Sequence, residues 1–303
     1  MHTLLIAAPE PLSGKTAVAL ALGQRLKDAG RTVALVRLAG DGHADADAGL
    51  FASLAFNDRS QPRPVEPQDA ATDADVTLIE APAGDPRGLA DSLSARALVV
   101  AAYALPLPAD LPSFCGALGD SCAGIVITRV PRRRLEATRA AAQSAIGEGA
   151  RLVALIPEDR TLAAPSLGAI AQALEADATF LDGAREDVID RPVISSISSD
   201  PAQGYFARYA PSAVIVRGDK PDQQLGALNA GVPCLIVTGG LPVLSYVKQR
   251  AEEERIPILT TSYDTVAAVQ RLEALYAATP FSGRAKVERA AQLAGELDIS
   301  SLD

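Results

Sequence analysis

Several kinds of side chain are scarce in this chain of 303 residues, which has three cysteines, two histidines, no tryptophan and only 4% aromatic residues. The thiols of Cys115, Cys122 and Cys234 show no CxxC spacing, which argues against a disulfide framework and predicts reduced core thiols. His2 and His43 are too few for a histidine-rich metal site. The core must therefore be built from Ala, Val, Leu and Ile.

The net charge and the hydrophobic content argue against several classes of function. Lys and Arg number 28 against 37 Asp and Glu, a formal charge of −9, which argues against nucleic acid or an anionic membrane as partner. Hydrophobic residues make up 48%, enough for a substantial core, and the length suggests about two domains. Pro9 and Pro11 interrupt the first apolar run, so neither a signal segment nor a membrane span is predicted, and we expect a cytoplasmic protein.

Strand and helix patterns alternate along the chain. A strand at Leu4–Ala8, a helix at Thr16–Ala29 and a strand at Thr32–Leu38 form a βαβ unit with parallel strands. Four more apolar runs follow, at Val76–Ile79, Ala97–Ala102, Gly124–Ile127 and Leu152–Ile156. The alternation predicts an α/β fold with a doubly wound, mostly parallel sheet over residues 1–183. Residues 184–303 are predicted to form a second, smaller α/β domain.

The segment Pro9–Thr16 lies between the first strand and the first helix, as a phosphate-binding loop (P-loop) does. Gly14 would let the backbone approach a phosphate, Lys15 would supply a charge, and the Thr16 hydroxyl could ligate Mg²⁺. The strict pattern places glycine where Pro9 stands, and proline donates no N–H. An ordinary turn that caps a helix is the alternative.

Candidate partners for the loop follow the neighbouring strands. Glu80 ends a buried strand at the carboxyl edge of the sheet, where ligands bind, and it is the first candidate for the metal. Asp45 and Asp47 are further candidates, with an exposed polar loop as the alternative. Arg37 ends the second strand and could face the same crevice or remain a surface cation.

These residues resemble a known family. Ser13–Thr16, Arg37 and Glu80–Gly84 are similar to the dethiobiotin synthetase-like P-loop fold, and most of all to the N-terminal region of long phosphotransacetylases. The segment Leu155–Ser166 is similar to the one that closes that domain. The resemblance implies ATP and Mg²⁺ as cofactors, bound by Ser13, Gly14, Lys15, Thr16 and Arg37, with Thr16, Glu80 and Asp47 on the metal side.

The second half resembles a DRTGG domain, through Gly218–Asp222 and the strand end Thr238–Gly240. Because both segments follow apolar strands, their small residues and amides could form an anion or small-ligand pocket. Tight turns that end strands and cap helices are the alternative. The predicted ligand residues are Gly218, Asp219, Asp222, Thr238, Gly239 and Gly240.

The chain departs from these relatives at several positions. Lys220 replaces the arginine of the DRTGG motif, and Thr128 and Arg129 stand where relatives often place an adenine-reading asparagine. Ala8 takes the place of the leading glycine. No stretch within the 303 residues corresponds to the acetyl-transferring domain, so we expect no phosphate acetyltransferase activity.

Three functions from different classes remain open at this point. The first is a nucleotide-binding regulatory or sensor protein, whose second domain takes a small-molecule effector or a protein partner, and which by analogy forms a homodimer. The second is an ATP-dependent ligase that resembles dethiobiotin synthetase, in which Lys15, Arg37 and Glu80 organise the charge. The third is a non-catalytic scaffold with a decayed P-loop.

Overall fold

The computed structural model describes residues 2–59, 61–108, 111–146, 151–195, 206, 212–293, 295 and 297. The chain divides into two compact units. The first comprises Met1–Leu162 together with Lys286–Asp303, and the second comprises Ala163–Ala285.

The first unit is built on six parallel strands in the order β2-β3-β1-β4-β5-β6. The strands are β1 His2–Ala7, β2 Val33–Arg37, β3 Val76–Glu80, β4 Arg96–Ala102, β5 Cys122–Val130 and β6 Leu152–Pro157. The helices of this part of the chain are α1 Lys15–Asp28, α2 Ala44–Ser53, α3 Arg87–Leu93, α4 Leu111–Leu118, α5 Leu135–Ile146 and the short α6 Arg160–Ala163. The order confirms the predicted α/β fold with its parallel sheet.

The strands of this sheet are almost wholly apolar, as strands covered on both faces must be. All five residues of β2 and all five of β3 are buried, yet each strand ends on a charged side chain, Arg37 and Glu80. Since parallel strands end at the same edge, both charges lie at the carboxyl edge of the sheet. That edge also carries the loop between β1 and α1.

The second unit has a five-stranded sheet in the order β7-β11-β10-β9-β8. The strands are β7 Asp177–Thr179, β8 Pro192–Ile194, β9 Ala213–Arg217, β10 Leu235–Thr238 and β11 Ile258–Thr260. The helices are α7 Leu167–Ala173, α8 Pro221–Asn229, α9 Ser245–Glu254 and α10 Thr265–Ala277, after which α11 Arg284–Leu293 leads out of the unit. Four strands are parallel, and β7 adds an antiparallel edge on β11.

Both faces of this second sheet are covered. Val214 and Val216 of β9 join one buried apolar cluster, whereas Ala213 and Ile215 join another. Successive side chains of a strand point to opposite faces, so the two clusters are the two sides of one sheet. The second unit is thus a smaller α/β layer structure, as predicted.

The division between the two units falls earlier in the chain than the boundary predicted between residues 183 and 184. Leu167 and Ile170 of α7 are buried in the same cluster as Ile236 and Leu259 of the second sheet. Residues 163–183 therefore pack with the second unit, while residues 286–303 are grouped with the first. The sequence offered no Pro- or Gly-rich linker to mark this division.

The buried face of the second sheet can be tested at its central strand. We expect Ile236→Ala to destabilise the protein by about 2–5 kcal/mol, because it opens a cavity beside a side chain that is fully buried. Val266→Ala is the matched control, since Val266 is 66% exposed. Thermal unfolding followed by circular dichroism should show a lower melting temperature for the first variant alone, and equal melting temperatures would contradict this packing.

Candidate functional site

The loop Pro9–Thr16 connects β1 to α1, as the sequence predicts, and Gly14 is its turning point. Gly14 precedes the helix with φ 95° and ψ 19°, the left-handed conformation that glycine adopts without strain. A Cβ on Gly14 would lie 3.3 Å from Thr128 Cγ2 and 3.4 Å from Thr128 Oγ1. Both the turn and the close approach of β5 therefore favour glycine at this position.

Two residues at the end of β5 hold the backbone of the loop. Thr128 Oγ1 donates a hydrogen bond of 2.6 Å to the carbonyl oxygen of Ser13. The guanidinium of Arg129 donates to the carbonyl oxygen of Leu12. Relatives often place an adenine-reading asparagine at these positions, whereas Thr128 and Arg129 fix the shape of the loop. No spacing in the sequence signals this contact, because the partners lie more than a hundred residues apart.

Thr16 and Glu80 meet beneath the loop. Thr16 Oγ1 donates a 3.1 Å hydrogen bond to Glu80 Oε1, and both side chains are buried. In the sheet, Glu80 of β3 lies in register with Ile6 of β1 and with Arg37 of β2. Arg37 Nε lies 3.8 Å from Glu80 Oε1. The structure therefore brings together the predicted loop, the predicted metal-side acid and the predicted arginine.

Arg37 is fixed by two aspartates and a carbonyl oxygen. Its Nε lies 3.2 Å from Asp47 Oδ2, and its Nη2 lies 2.5 Å from Asp41 Oδ2. Its Nη1 donates to the Leu38 carbonyl oxygen at 2.6 Å. Asp47 is buried and faces the arginine, so its part in holding a metal stays a prediction. Asp45, two residues earlier in the same helix, is exposed, and no ion pair between Asp45 and Arg37 is present.

Asp41 is a site residue that sequence reasoning missed. Its position four residues after Arg37, in a turn just beyond the strand, was the available signal. The Arg37 side chain is only 1% exposed, and a buried guanidinium requires carboxylate partners of this kind.

The buried charges shift one another's protonation. Burial raises the pKa of Glu80 to about 7, and nearby Asp47 adds to the rise, while Arg37, Lys15 and the Thr16 hydroxyl oppose it. Burial also lowers the pKa of Lys15, with Arg37 in support and Glu80 in opposition. The site therefore holds two groups whose charged forms would gain from new partners, an anion near Lys15 and a cation near Glu80.

Unpaired polar atoms show that the site fits a phosphate and a metal ion. Ser13 Oγ and Glu80 Oε2 are buried and have no hydrogen-bond partner among the described residues. The backbone N–H groups of Ser13 and Gly14 likewise donate to no group in the described part of the chain. Buried polar groups are rarely left unpaired. The unpaired N–H and hydroxyl groups suit a bound phosphate, and the unpaired carboxylate oxygen suits Mg²⁺.

Over the described ranges, no group of three or more His, Cys, Asp or Glu side chains is arranged to hold a metal by itself. In nucleotide sites, Mg²⁺ takes several of its ligands from phosphates and water. Within the same ranges, no helix has the length and apolar character needed to cross a membrane.

The predicted ligand residues of the second unit lie together at the ends of β9 and β10, but their amides are occupied. Gly218 N–H donates to the Thr238 carbonyl oxygen at 2.8 Å. Gly239 N–H and Gly240 N–H donate to the carbonyl oxygens of Tyr263 and Thr261, at 2.8 and 3.0 Å. Each of these three amides therefore pairs within the chain and is not free to donate to an anion.

The side chains at this edge are mostly paired as well. Asp219 Oδ2 lies 2.5 Å from Arg217 Nη2, and Thr238 Oγ1 lies 2.9 Å from Thr265 Oγ1. Asp222 is exposed in the first turn of α8. A ligand role for Gly218, Asp219, Asp222, Thr238, Gly239 and Gly240 stays a prediction.

Gln224 is a residue of this edge that the sequence did not single out. Its Nε2 donates to the carbonyl oxygens of Arg217 and Gly218, at 3.0 and 3.3 Å. Its Oε1 is buried without a partner in the described residues. A free buried acceptor therefore lies beside the turn at Gly218.

Comparison with known proteins identifies the second unit. The sequence model of the DRTGG domain family matches residues 169–275, about a third of the chain. This span is a DRTGG domain, and the resemblance seen at Gly218–Asp222 and Thr238–Gly240 is confirmed.

Solved structures with similarity to the chain are distant. The CBS and DRTGG domains of the regulatory region of Clostridium perfringens pyrophosphatase, in complex with the activator diadenosine tetraphosphate, are 21% identical with a TM-score of 0.32. That match covers 36% of this chain and 46% of the other, so this chain spans less than half of that relative.

The cell division protein MinD of Aquifex aeolicus, in complex with MinC, is 19% identical with a TM-score of 0.40, over 54% of this chain and 83% of the other. MinD of Pyrococcus horikoshii with Mg-ADP is also 19% identical, with a TM-score of 0.38, over 53% and 83%. At this level the matches assign no residue roles.

The raised pKa of Glu80 makes stability depend on pH. The folded chain keeps the Glu80 proton up to about pH 7, whereas the unfolded chain releases it near the ordinary value of 4.5. Between these pH values the folded state binds more protons, so this group contributes stability that is lost as the pH rises.

We expect Glu80→Gln to flatten that pH dependence, and Glu252→Gln, at an exposed carboxylate, to leave it unchanged. Urea unfolding at pH values from 5 to 8 measures this. A slope that is equal in the wild type and in Glu80→Gln would show that Glu80 titrates as it does in the unfolded chain.

Proposed function

We propose that the protein is a nucleotide-binding regulatory protein, which binds ATP with Mg²⁺ at the loop Pro9–Thr16 and takes an effector or partner at its DRTGG domain. The observation that carries the proposal is the convergence of Lys15, Thr16 and Glu80 at the carboxyl edge of a parallel sheet. Ser13 Oγ and Glu80 Oε2 lie there buried and without partners in the described chain. The edge is where α/β proteins bind their ligands.

Each residue of the loop has a distinct part in this proposal. The Lys15 ammonium meets the β- and γ-phosphates, and no ion pair to a described residue competes for it. The backbone amides of Ser13 and Gly14 add donors to the phosphates. The Thr16 hydroxyl and the Glu80 carboxylate, which are hydrogen-bonded to each other here, would hold the metal ion. Bound Mg²⁺ would neutralise the phosphate charge.

The two prolines lower the number of backbone N–H donors in the loop but leave others in place. Pro9 and Pro11 have no N–H, so two donors of a full P-loop are missing. The remaining donors lie between Ser13 and Thr16, next to the start of α1, where the helix dipole favours an anion. We therefore expect binding through the terminal phosphates.

Arg37 favours the regulatory function over the ligase. In a ligase, Arg37 would help organise the charge, yet three of its N–H groups already donate to Asp47, the Leu38 carbonyl oxygen and Asp41. Breaking a buried pair of this kind is costly, so the two aspartates hold Arg37 in place, and a direct contact of Arg37 with the nucleotide stays a prediction. The resemblance to the N-terminal region of long phosphotransacetylases supports the same choice, because it implies a regulatory role.

The effector or partner at the DRTGG domain and a homodimeric assembly belong to the same proposal. The unpaired Oε1 of Gln224 beside Gly218 supports a ligand that donates a hydrogen bond at this edge. The turn amides are occupied there, so an anion held by backbone N–H groups is not part of the proposal.

Thermal shift with ATP and Mg²⁺ tests nucleotide binding. A ligand at a hundred times its Kd stabilises the folded state by about 2.7 kcal/mol, so the wild type should melt at a higher temperature. Lys15→Ala should lose the shift. Lys27→Ala, on the exposed side of the same helix and paired with Asp58, should keep it. No shift in the wild type, or an equal shift in Lys15→Ala, would favour the scaffold with a decayed loop.

Measuring the release of phosphate from ATP distinguishes a regulatory protein from a ligase. With ATP and Mg²⁺, we expect release that is absent or slow and independent of added substrate. Release that appears only when a diamino acid and bicarbonate are added would overturn the regulatory function in favour of the ligase.

A further inference from the structure

Helix α11 belongs to the first unit although it follows the second unit in the sequence. The helix spans Arg284–Leu293, and the residues from Lys286 onward are grouped with the first unit. Its buried side chains are Lys286, Ala290 and Leu293, whose spacing of four and three residues places them on one face of the helix. The chain therefore leaves the DRTGG domain and buries one face of α11 in the unit that carries the loop Pro9–Thr16.

An ion pair ties α11 to the segment that follows β6. Arg289 Nε donates to Asp159 Oδ2 at 2.7 Å, and the Asp159 side chain is only 9% exposed. The other oxygen, Asp159 Oδ1, accepts from the Leu162 N–H at 3.2 Å, in the short helix α6. A carboxylate as buried as this is costly without its cation. Loss of Arg289 would therefore force the segment around Asp159 to move.

The segment around Asp159 is bonded to the end of β5. Pro157 of β6 lies in register with Val130 of β5, and the Glu158 N–H donates to the Val130 carbonyl oxygen at 2.9 Å. Because the two strands are parallel, these residues lie at the carboxyl edge of the sheet. A movement of Asp159 thus acts on Val130 through one peptide unit and one hydrogen bond.

Strand β5 is irregular just before Val130, where it reaches the loop. The register of β5 and β6 shifts between Ile127 and Val130, and Arg129 has φ 58°, in the left-handed region. Irregularities of this kind redirect a side chain out of the regular alternation of a strand. The redirected guanidinium of Arg129 donates to the Leu12 carbonyl oxygen. The residue next to Val130 therefore holds the loop.

Leu12 adopts a backbone conformation that needs support. Its φ is 55°, which a residue other than glycine adopts at a cost in free energy. Such a conformation persists only where the surroundings hold it. The hydrogen bond from Arg129 supplies that support one position before Ser13, whose N–H donates to no group among the described residues. The shape of the loop at Ser13 thus depends on the placement of Arg129.

From these contacts we propose that Arg289 is a positioning residue for the nucleotide site, which acts through Asp159 and Arg129 on the loop Pro9–Thr16. The inference rests on the proposed function and names a means of regulating that site. Helix α11 begins at Arg284, soon after the DRTGG match ends at residue 275. An effector at the DRTGG domain that displaces α11 would break the ion pair and lower the affinity for the nucleotide.

Calorimetric titration of the full chain with ATP and Mg²⁺ tests the role of Arg289. Arg289→Ala should weaken binding about three- to tenfold, an effect of the size that residues remote from a ligand produce. Asp159→Asn keeps an acceptor for the Leu162 N–H but loses the ion pair, so it should weaken binding by a similar factor. Arg289→Lys keeps the charge and should bind more tightly than Arg289→Ala.

Arg250→Ala is the matched control for Arg289→Ala. The Arg250 side chain is 37% exposed, against 31% for Arg289, and it pairs with Glu254 of α9 at 2.7 Å. This variant loses a helical ion pair of similar exposure and should bind ATP as the wild type does. Circular dichroism shows whether each variant is folded, and Asp159→Asn decides the outcome where Arg289→Ala is not.

A double-mutant cycle distinguishes a positioning role from a general loss of stability. Arg129→Ala should weaken binding because it releases the Leu12 carbonyl oxygen. Arg129 and Arg289 hold different partners, so their effects should add unless a shared element links them. We expect the variant that carries both Arg129→Ala and Arg289→Ala to bind no more weakly than Arg129→Ala alone. Losses that add in full would overturn the proposed connection.

Hydrogen exchange without nucleotide tests the inference independently of the proposed function. The Val18 N–H donates to the Gly14 carbonyl oxygen at 3.0 Å, so a peptide with residues 12–18 reports on the end of the loop. This peptide should exchange faster in Arg289→Ala than in the wild type, and at the wild-type rate in Arg250→Ala. Failure of the wild type to bind ATP would overturn the proposed function. Exchange that is unchanged in Arg289→Ala would overturn the link between α11 and the loop.

Discussion

The first unit depends on a set of buried charges at the carboxyl edge of its sheet. Glu80 accepts a hydrogen bond from Thr16 and lies beside Arg37, which in turn is held by Asp41 and Asp47. Buried charges are costly unless each has a partner, so every element that brings one of these residues to the edge is constrained by the others. The loop Pro9–Thr16, the ends of β2 and β3 and helix α2 are thereby fixed around one set of contacts.

Under the proposed function, two contacts from β5 prepare the loop for a phosphate, although Ala8 stands in place of the leading glycine. Thr128 Oγ1 and the Arg129 guanidinium donate hydrogen bonds to the carbonyl oxygens of Ser13 and Leu12. The N–H groups of Ser13 and Gly14, in contrast, donate to no group among the described residues. Preorganised donors of this kind lower the cost of binding, because the loop does not have to be reordered.

Local patterns in the sequence predicted much of the fold. The βαβ start, the apolar strands and the turn glycines predicted the parallel sheet, because a buried parallel strand has a composition of its own. The antiparallel edge strand Asp177–Thr179 and the helix Leu167–Ala173 were not predicted, since each is short and is specified by contacts with distant residues. The domain boundary was misplaced for the same reason.

In the candidate site, too, local patterns were predicted and contacts between distant residues were not. Lys15, Thr16, Arg37 and Glu80 were predicted because strand ends of a parallel sheet share an edge. Asp41 and the roles of Thr128 and Arg129 were not, because side-chain partners across the sheet leave no periodic signal in the sequence. In the second unit, Gly218, Gly239 and Gly240 were predicted as ligand residues with tight turns as the alternative, and only the fold showed that their amides are paired.

Calorimetric titration of ATP into the protein, with Mg²⁺ and with the metal chelated, tests the central claim most directly. The account predicts one nucleotide per chain in the wild type, tighter binding with Mg²⁺, and a loss of that metal-dependent gain in Glu80→Gln. Binding that is the same with and without the metal, or the same in Glu80→Gln as in the wild type, would contradict the claim that Thr16 and Glu80 form the metal side of a triphosphate site.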